Sequence, residues 1–345
     1  MEHKIAVLGA GSWGTALAVS LAGKGYSVRI WDVDKDHVDS LRRDGENKKY
    51  LPGVKFPTMV VTDTPEEAIT GSEMVIFAAP AQHFRSALTN ALPFLTDEMV
   101  LVNVAKGIEQ KSLKRMSEIA SEILPGARYV MLSGPSHAEE VGRGMPTTVV
   151  SASEDIKLAE FVQDIFMSER FRVYTNTDVA GVEFGGALKN TIALGAGISD
   201  GMGFGDNAKA ALMTRGITEI ARLGVRLGAK AVTFTGLTGI GDLIVTCTSM
   251  HSRNRRCGIM IGQGMKPSEA MKKVGMVVEG IYTTQAAYEL AKRCDVEMPI
   301  TEHIYEVINE KIDARAAVTA LMTRQKKHEI EECFNGRFRT CKTTE

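Results

Sequence analysis

Lys4-Ile-Ala-Val-Leu8, Gly9-Ala-Gly-Ser-Trp-Gly14 and Thr15-Ala-Leu-Ala-Val-Ser-Leu-Ala22 follow one another without a break and decide how the first half of this chain folds. They read as strand, glycine turn and helix. A GxGxxG spacing alone is weak evidence, but between a strand and a helix it is the signature of a dinucleotide site. Gly9 permits the tight turn, Gly11 lets the backbone approach a pyrophosphate, and Gly14 allows the helix to pack closely. The start of the helix then offers unpaired N–H groups and a partial positive charge to the phosphates.

The next strand pattern, Ser27 to Trp31, ends at Asp32, about 18 residues past Gly14 and close to the spacing expected of an acid that meets the adenosine ribose. A carboxylate there accepts hydrogen bonds from a 2′-hydroxyl and repels a 2′-phosphate, which favours NAD over NADP. Asp34 stands as an alternative reader and Lys35 softens the preference, so NADP remains open.

Further strand patterns fall at Met59–Thr62, Met74–Ala79, Met99–Val104, Tyr129–Leu132, Thr147–Val150 and Phe171–Tyr174, with helical patterns such as Gln82–Ala91, Leu113–Leu124 and Ile156–Met167 between them. Such alternation predicts an α/β, doubly wound and mostly parallel sheet with ligands at the carboxyl ends of its strands. From Asp178 onward strand signals almost vanish. Val182–Gly197, Ala208–Leu227, Arg253–Gly262, Glu279–Arg293, Ile300–Asn309 and Ala314–Arg324 read as helices. The expected organisation is a dinucleotide-binding domain over 1–180, an all-α substrate domain over 181–328 and a polar tail over 329–345. Two glycine-broken stretches, Gly197–Asn207 and Gly236–Asp242, are expected to bring backbone close to another helix or to a ligand.

Composition narrows the function classes. The 345 residues suffice for two domains. With 41 basic and 42 acidic residues the formal net charge is −1, so no basic excess points to nucleic acid. No apolar run approaches the roughly 20 residues of a membrane span, and the N-terminus lacks a signal-peptide layout; the expected location is cytoplasmic. Five widely spaced cysteines, Cys247, Cys257, Cys294, Cys333 and Cys341, suit neither a disulfide framework nor a metal knot and read as reduced thiols.

Polar residues at strand ends are the first candidates for chemistry. Val104-Ala-Lys106-Gly107 places a lysine where a strand stops, at the edge that faces a cofactor. Ser133-Gly134-Pro135-Ser136-His137-Ala138 opens the loop after the next strand. The Ser136–His137 neighbours do not make a hydrolase, since no GxSxG elbow is present and adjacency in sequence is not a triad. In the second half Phe184-Gly-Gly-Ala-Leu-Lys189-Asn190 sets a lysine in apolar, glycine-rich helix, and Lys189 is read as the catalytic residue.

These blocks together carry a resemblance. The glycine turn with Ser12 and Trp13, Tyr50–Gly53, Ala105–Gly107, Ser133–Ser136, Gly186–Asn190, Gly205–Asn207, Gly241–Asp242, Ser252–Asn254 and Val277–Gly280 are similar to NAD(P)-dependent glycerol-3-phosphate dehydrogenase in its bacterial form. The similarity runs from about residue 4 to about residue 328, in family order. It implies a Rossmann-like first domain and a helical domain similar to that of 6-phosphogluconate dehydrogenase. It further implies interconversion of sn-glycerol 3-phosphate and dihydroxyacetone phosphate, supplying glycerophospholipid synthesis. By the same resemblance Ser12, Trp13, Lys106, Ala138, Arg253, Val277 and Glu279 are cofactor contacts, joining Gly9, Gly11, Gly14 and Asp32. Lys106, Gly134, Ser136, Lys189, Asp242, Ser252, Arg253 and Asn254 form its substrate site, with Lys189 transferring the proton. Many family members carry a basic residue just after the second strand, where this chain reads Trp31-Asp32-Val33.

The chemistry follows from the residue types. Hydride transfer belongs to the nicotinamide, so the protein supplies orientation, a proton and a phosphate anchor. A protonated Lys189 polarises the carbonyl in reduction, and its neutral form accepts the hydroxyl proton in oxidation. Lys106 would lower the Lys189 pKa and Asp242 would raise it. Arg253 suits the substrate phosphate because a guanidinium engages two oxygens at once. A β-hydroxyacid dehydrogenase of the same layout, and a dinucleotide-sensing regulator without turnover, are the competing readings. The expected partners are a small phosphorylated substrate and a second copy of the chain, with no metal.

Overall fold

A computed structural model describes residues 3–329. The chain divides into two compact units, one holding the residues up to Ala105 together with Met116–Val179, the other Lys106–Arg115 and the residues from Ala180 onward. The sequence reading placed one boundary near residue 180. The additional transfer of Lys106–Arg115 to the helical unit depends on long-range packing that no local pattern announces.

The first unit runs β1 (Lys4–Leu8), α1 (Ser12–Gly23), β2 (Ser27–Trp31), α2 (Lys35–Asp44), β3 (Val60–Thr62), α3 (Pro65–Ile69), β4 (Met74–Phe77), α4 (Phe84–Ala91), β5 (Val100–Asn103), α5 (Met116–Ile123), β6 (Arg128–Ser133), α6 (Ala138–Gly142), β7 (Thr147–Ala152), α7 (Ile156–Phe166) and β8 (Phe171–Asn176). The strands form a single sheet in the order β3-β2-β1-β4-β5-β6-β7-β8. Every pairing is parallel except β6 with β7. β4 and β5 are buried at every position, as continuous apolar strands must be when helices cover both faces of a parallel sheet. The alternation of side chains shows in β1, where Ile5 and Val7 join the core under α1, α6 and α7, while Ala6 and Leu8 join the core under α3, α4 and α5. This is the doubly wound arrangement that the strand and helix alternation predicts, with eight strands where eight were expected.

The second unit is helical: α8 (Val179–Gly201), α9 (Asp206–Arg226), α10 (Asp242–Thr248), α11 (Arg253–Gly262), α12 (Pro267–Val274), α13 (Glu279–Arg293), α14 (Pro299–Ile308) and α15 (Ala314–Met322). α8 is buried along nearly its whole length, which explains its weak amphipathic pattern. The expected break at Gly197 is not there. Helix α8 continues to Gly201, and the chain turns only at Met202–Gly205.

Gly197 is in the helix because it packs, not because it breaks. A Cβ at Gly197 would stand 2.1 Å from the Arg255 carbonyl oxygen, one at Gly201 2.2 Å from that of Ile259, and one at Gly258 2.1 Å from that of Leu194. α8 and α11 thus meet backbone to backbone along a glycine seam, which fixes the start of α11 against the helix carrying Lys189. Gly185 does the same for the turn before α10, since a Cβ there would lie 2.5 Å from the Thr238 carbonyl oxygen. Among the described residues no helix is long and apolar enough to cross a membrane. Cys247, Cys257 and Cys294 are buried free thiols; Cys333, Cys341 and nearly all of the expected tail lie outside the described residues.

Candidate active site

In the first unit the glycine turn is shaped as a cradle. Gly9 has φ +113°, and a Cβ on it would press on Ala78 at 2.9 Å; one on Gly14 would strike the Gly9 carbonyl oxygen at 2.0 Å. A Cβ on Gly11 would meet nothing within 4 Å. Gly9 and Gly14 are therefore required by the protein's own packing, whereas Gly11 faces open space. Ser12 and Trp13 form the first residues of α1, and the buried Trp13 Nε1 has no hydrogen-bond partner among the described residues.

Asp32 stands at the carboxyl end of β2, beside this turn. Its Oδ2 accepts from Ala10 N at 2.7 Å and its Oδ1 from Asp34 N at 3.0 Å. Each oxygen keeps a further lone pair for a ribose hydroxyl. Asp34 caps α2 by accepting from His37 N at 3.1 Å. The Ala10 carbonyl oxygen is in turn engaged by His37 Nε2 at 3.0 Å and Asn47 Nδ2 at 2.8 Å. Ala138 opens α6, which packs on α1. Gly134, at φ +140°, lies against Val149, and Ser136 Oγ donates to the Gly134 carbonyl oxygen at 2.8 Å. Gly134 and Ser136 belong to the first unit. The open turn, the acid at the end of β2 and the orphan indole N–H fit a dinucleotide.

In the helical unit three of the expected site residues converge. Lys189 Nζ donates to Asp242 Oδ1 at 2.5 Å, and Lys106 Nζ donates to Asp242 Oδ2 at 2.8 Å. Lys189 is only 6% exposed and Asp242 1%. Lys189 makes a second bond, to Thr246 Oγ1 at 2.7 Å, while that hydroxyl donates its own proton to the Asp242 carbonyl oxygen at 2.6 Å. Thr246 was not foreseen. It lies one helical turn beyond Asp242 on α10, and the β-branched Ile244, Val245, Thr246 and Thr248 hide that helix from a pattern reading.

The electrostatics follow from this geometry. Burial pushes the Lys189 ammonium down; Asp242 pulls it back up and Lys106 lowers it again, leaving a pKa of about 8. Burial alone would raise the Asp242 carboxyl, but the Lys106 and Lys189 ammonium groups outweigh it and hold it below the usual carboxylate range. Cys247, the next residue on α10, is a neutral thiol pushed up to about 12 by burial. Two cations around one carboxylate leave an excess positive charge, which suits an anionic substrate.

The start of α11 holds the remaining group. Ser252 caps the helix, accepting from Arg255 N at 3.2 Å, and is 4% exposed. Arg253 is the first helical residue. Asn254 is a cross-link: its Nδ2 donates to Asn190 Oδ1 at 2.9 Å and its Oδ1 accepts from Gly280 N at 2.8 Å. That leaves one amide hydrogen for a ligand. Asn190 also donates to the Lys106 carbonyl oxygen at 3.4 Å, so Lys106, Lys189 and α11 share one framework. Val277 and Glu279 flank the start of α13 beside Gly280.

Both halves of the chain have known relatives. Residues 4–159 match the N-terminus, and residues 178–319 the C-terminus, of NAD-dependent glycerol-3-phosphate dehydrogenase. The chain belongs to this family. It is 55% identical over 336 residues to glycerol-3-phosphate dehydrogenase (NAD(P)+) of Pelotomaculum thermopropionicum, covering 96% of each chain. Over 333 residues it is 55% identical to the Moorella thermoacetica protein of the same name, covering 96% of this chain and 99% of that one. Its fold is similar to the crystal structure of glycerol-3-phosphate dehydrogenase from Coxiella burnetii, with a TM-score of 0.91 and 39% identity over 94% of this chain and 99% of that one.

Proposed function

We propose that this protein catalyses reversible, NAD(P)-dependent hydride transfer between C2 of sn-glycerol 3-phosphate and the cofactor, giving dihydroxyacetone phosphate, and so supplies glycerophospholipid synthesis. The observation that carries this reading is the buried Lys189 amine, bonded to Asp242 and Thr246 with the Lys106 ammonium on the other oxygen of the same carboxylate. Gly9, Gly11, Ser12, Trp13, Gly14, Asp32 and Ala138 of the first unit would hold the cofactor, joined by Lys106, Arg253, Val277 and Glu279; bound, it supplies or accepts the hydride. Lys189 donates a proton to the alkoxide that develops in reduction and removes the hydroxyl proton in oxidation. Asp242 and Thr246 fix the amine's direction, and Lys106 adds positive charge for the developing oxyanion. Arg253 grips the phosphate through its guanidinium, aided by the N-terminus of α11 and the remaining Asn254 amide hydrogen. Gly134 and Ser136 complete the substrate contacts.

The Asp32 carboxylate, fixed toward the turn by two backbone N–H groups, supports a preference for NAD. The buried free thiols support a reducing, cytoplasmic setting, and we assign a homodimer, which sedimentation of the purified protein checks. The decisive assay is oxidation of NADH by dihydroxyacetone phosphate. No turnover, or turnover only with unphosphorylated 2-oxo acids, sinks the assignment. With turnover established, NADH should outperform NADPH and Asp32→Ala should narrow the difference; an NADPH preference in the unaltered enzyme contradicts the role given to Asp32.

A further inference from the structure

Lys106–Arg115 is a strap that the helical unit draws from the first half of the chain. At its near end the Lys106 ammonium donates to Asp242 Oδ2 at 2.8 Å, and the Lys106 carbonyl oxygen accepts from Asn190 Nδ2 at 3.4 Å. At its far end Arg115 Nη1 donates to Glu183 Oε2 at 2.7 Å, with the guanidinium 5.5 Å from the centre of the Phe184 ring. The Glu183 side chain is 3% exposed and that of Arg115 16%, so this pair escapes the solvent screening that makes surface pairs weak. Between the two ends Ile108 and Leu113 are buried in the core of the helical unit.

Glu183 and Asn190 lie seven positions apart on α8, close to two full turns and about 10 Å along the axis. Both grips on the strap therefore lie on one face of the helix that also carries Lys189. Between the grips the backbone is held in a costly shape. Leu113 has φ 61°, a left-handed conformation that a leucine keeps only where its surroundings over-determine it. Its N–H donates to the Glu109 carbonyl oxygen at 2.8 Å, and Glu109 N donates to the Lys114 carbonyl oxygen at 3.0 Å. A strap so shaped relaxes if one end is released, and its other end carries Lys106.

We propose that Arg115 is a positioning residue for the reaction: its ion pair with Glu183 fastens the strap to α8 so that the Lys106 ammonium stays on Asp242 beside Lys189. The proposal rests on the reading of Lys189 as the proton-transfer group. The titratable groups facing Lys189 are Asp242, Lys106 and Cys247. Of these, Lys106 is the cation that depresses the Lys189 pKa, so loosening the strap moves that pKa upward. A purely structural ion pair has no such signature.

The test uses the full-length enzyme and the pH profile of kcat/KM for glycerol 3-phosphate oxidation. In Arg115→Met/Glu183→Gln both charges are removed together, so no buried carboxylate loses its guanidinium. This variant is expected to keep the helical circular dichroism and NADH binding of the unaltered enzyme. Its kcat/KM should fall about tenfold, as small displacements of catalytic groups do, and the limb that rises with pH should move to higher pH. Arg115→Lys, which retains the charge but loses the guanidinium's contact with the Phe184 ring, should shift the limb less in the same direction and carries the test if the double variant does not fold. A limb that requires Lys189 yet is unmoved in these variants overturns the proposal alone. A limb that survives Lys189→Met overturns the reading of Lys189 and the proposal with it.

Discussion

In the reaction proposed for this protein, Lys189 holds a proton in one direction and lacks it in the other. An ordinary lysine near pKa 10.4 is neutral in only about one molecule in a few thousand at pH 7. With a pKa of about 8, roughly a tenth is neutral, and both forms are available. Glycerol 3-phosphate oxidation should therefore rise with pH to a plateau above an apparent pKa near 8, and dihydroxyacetone phosphate reduction should decline above the same point. Lys189→Met should abolish both limbs and cost about 10²–10⁴ in kcat, as steady-state rates across pH 6 to 10 will show. The stability sign is separate. A depressed lysine disfavours the folded state while protonated, so this cost is present below about 8 and fades between there and 10.5. Thr246 offers a narrower test. Thr246→Val keeps the shape but removes an acceptor of the Lys189 ammonium, so kcat should fall about tenfold and the limb should move to lower pH; an unmoved limb removes Thr246 from the proton-transfer group.

At the scale of elements, α8 and α11 decide where Lys189 and Arg253 stand. Their glycine seam admits no side chain, since a Cβ at Gly258 would lie 2.1 Å from the Leu194 carbonyl oxygen. Backbone cannot yield as a flexible side chain can. Gly258→Ala should thus destabilise by about 3 kcal/mol in denaturant unfolding, and whatever folds should show a raised KM for the phosphorylated substrate because the start of α11 is displaced. Parts of this layer were legible in the sequence. The Gly9–Gly14 turn and α1 follow from local spacing, and so do eight apolar strand runs. The seam was not legible, because Gly197 reads as a helix breaker until its neighbour across the interface is known. Helix α10 was missed for the converse reason: its β-branched run suggests strand, and only Asp242 at its start and the packing of Leu243 and Cys247 make it helix. With α10 unseen, Thr246 could not be placed beside Lys189, although Lys106, Lys189 and Asp242 had been linked through the family resemblance.

For the whole molecule, stability should carry a second titration unrelated to catalysis. Glu219 of α9 accepts from Ile300 N at 2.7 Å, from Thr301 N at 3.1 Å and from Thr301 Oγ1 at 3.2 Å. Burial nevertheless pushes its carboxyl up to about 7, against the pull of those donors. A raised carboxyl binds its proton more tightly in the folded state, so the stability linked to it is complete below 4.5 and is lost as pH rises toward 7. The loss is on the order of 3 kcal/mol. Unfolding free energies of the unaltered protein and Glu219→Gln, compared between pH 4.5 and 8, should diverge over that window; parallel curves would show that Glu219 is ionised throughout. The strap is also a whole-molecule feature, since the chain leaves the sheet unit after Ala105, returns at Met116 and leaves again after Val179.

That path has a consequence at the ribosome. Ile108 and Leu113 emerge before the helices whose core they join, and synthesis at about 5–20 residues per second leaves both apolar side chains waiting for several seconds until even the first of those helices, α8, has been made. The nascent protein is therefore most exposed to wrong partners midway through translation, while the nucleotide-binding half is being completed and the strap belonging to the other half hangs from it unburied.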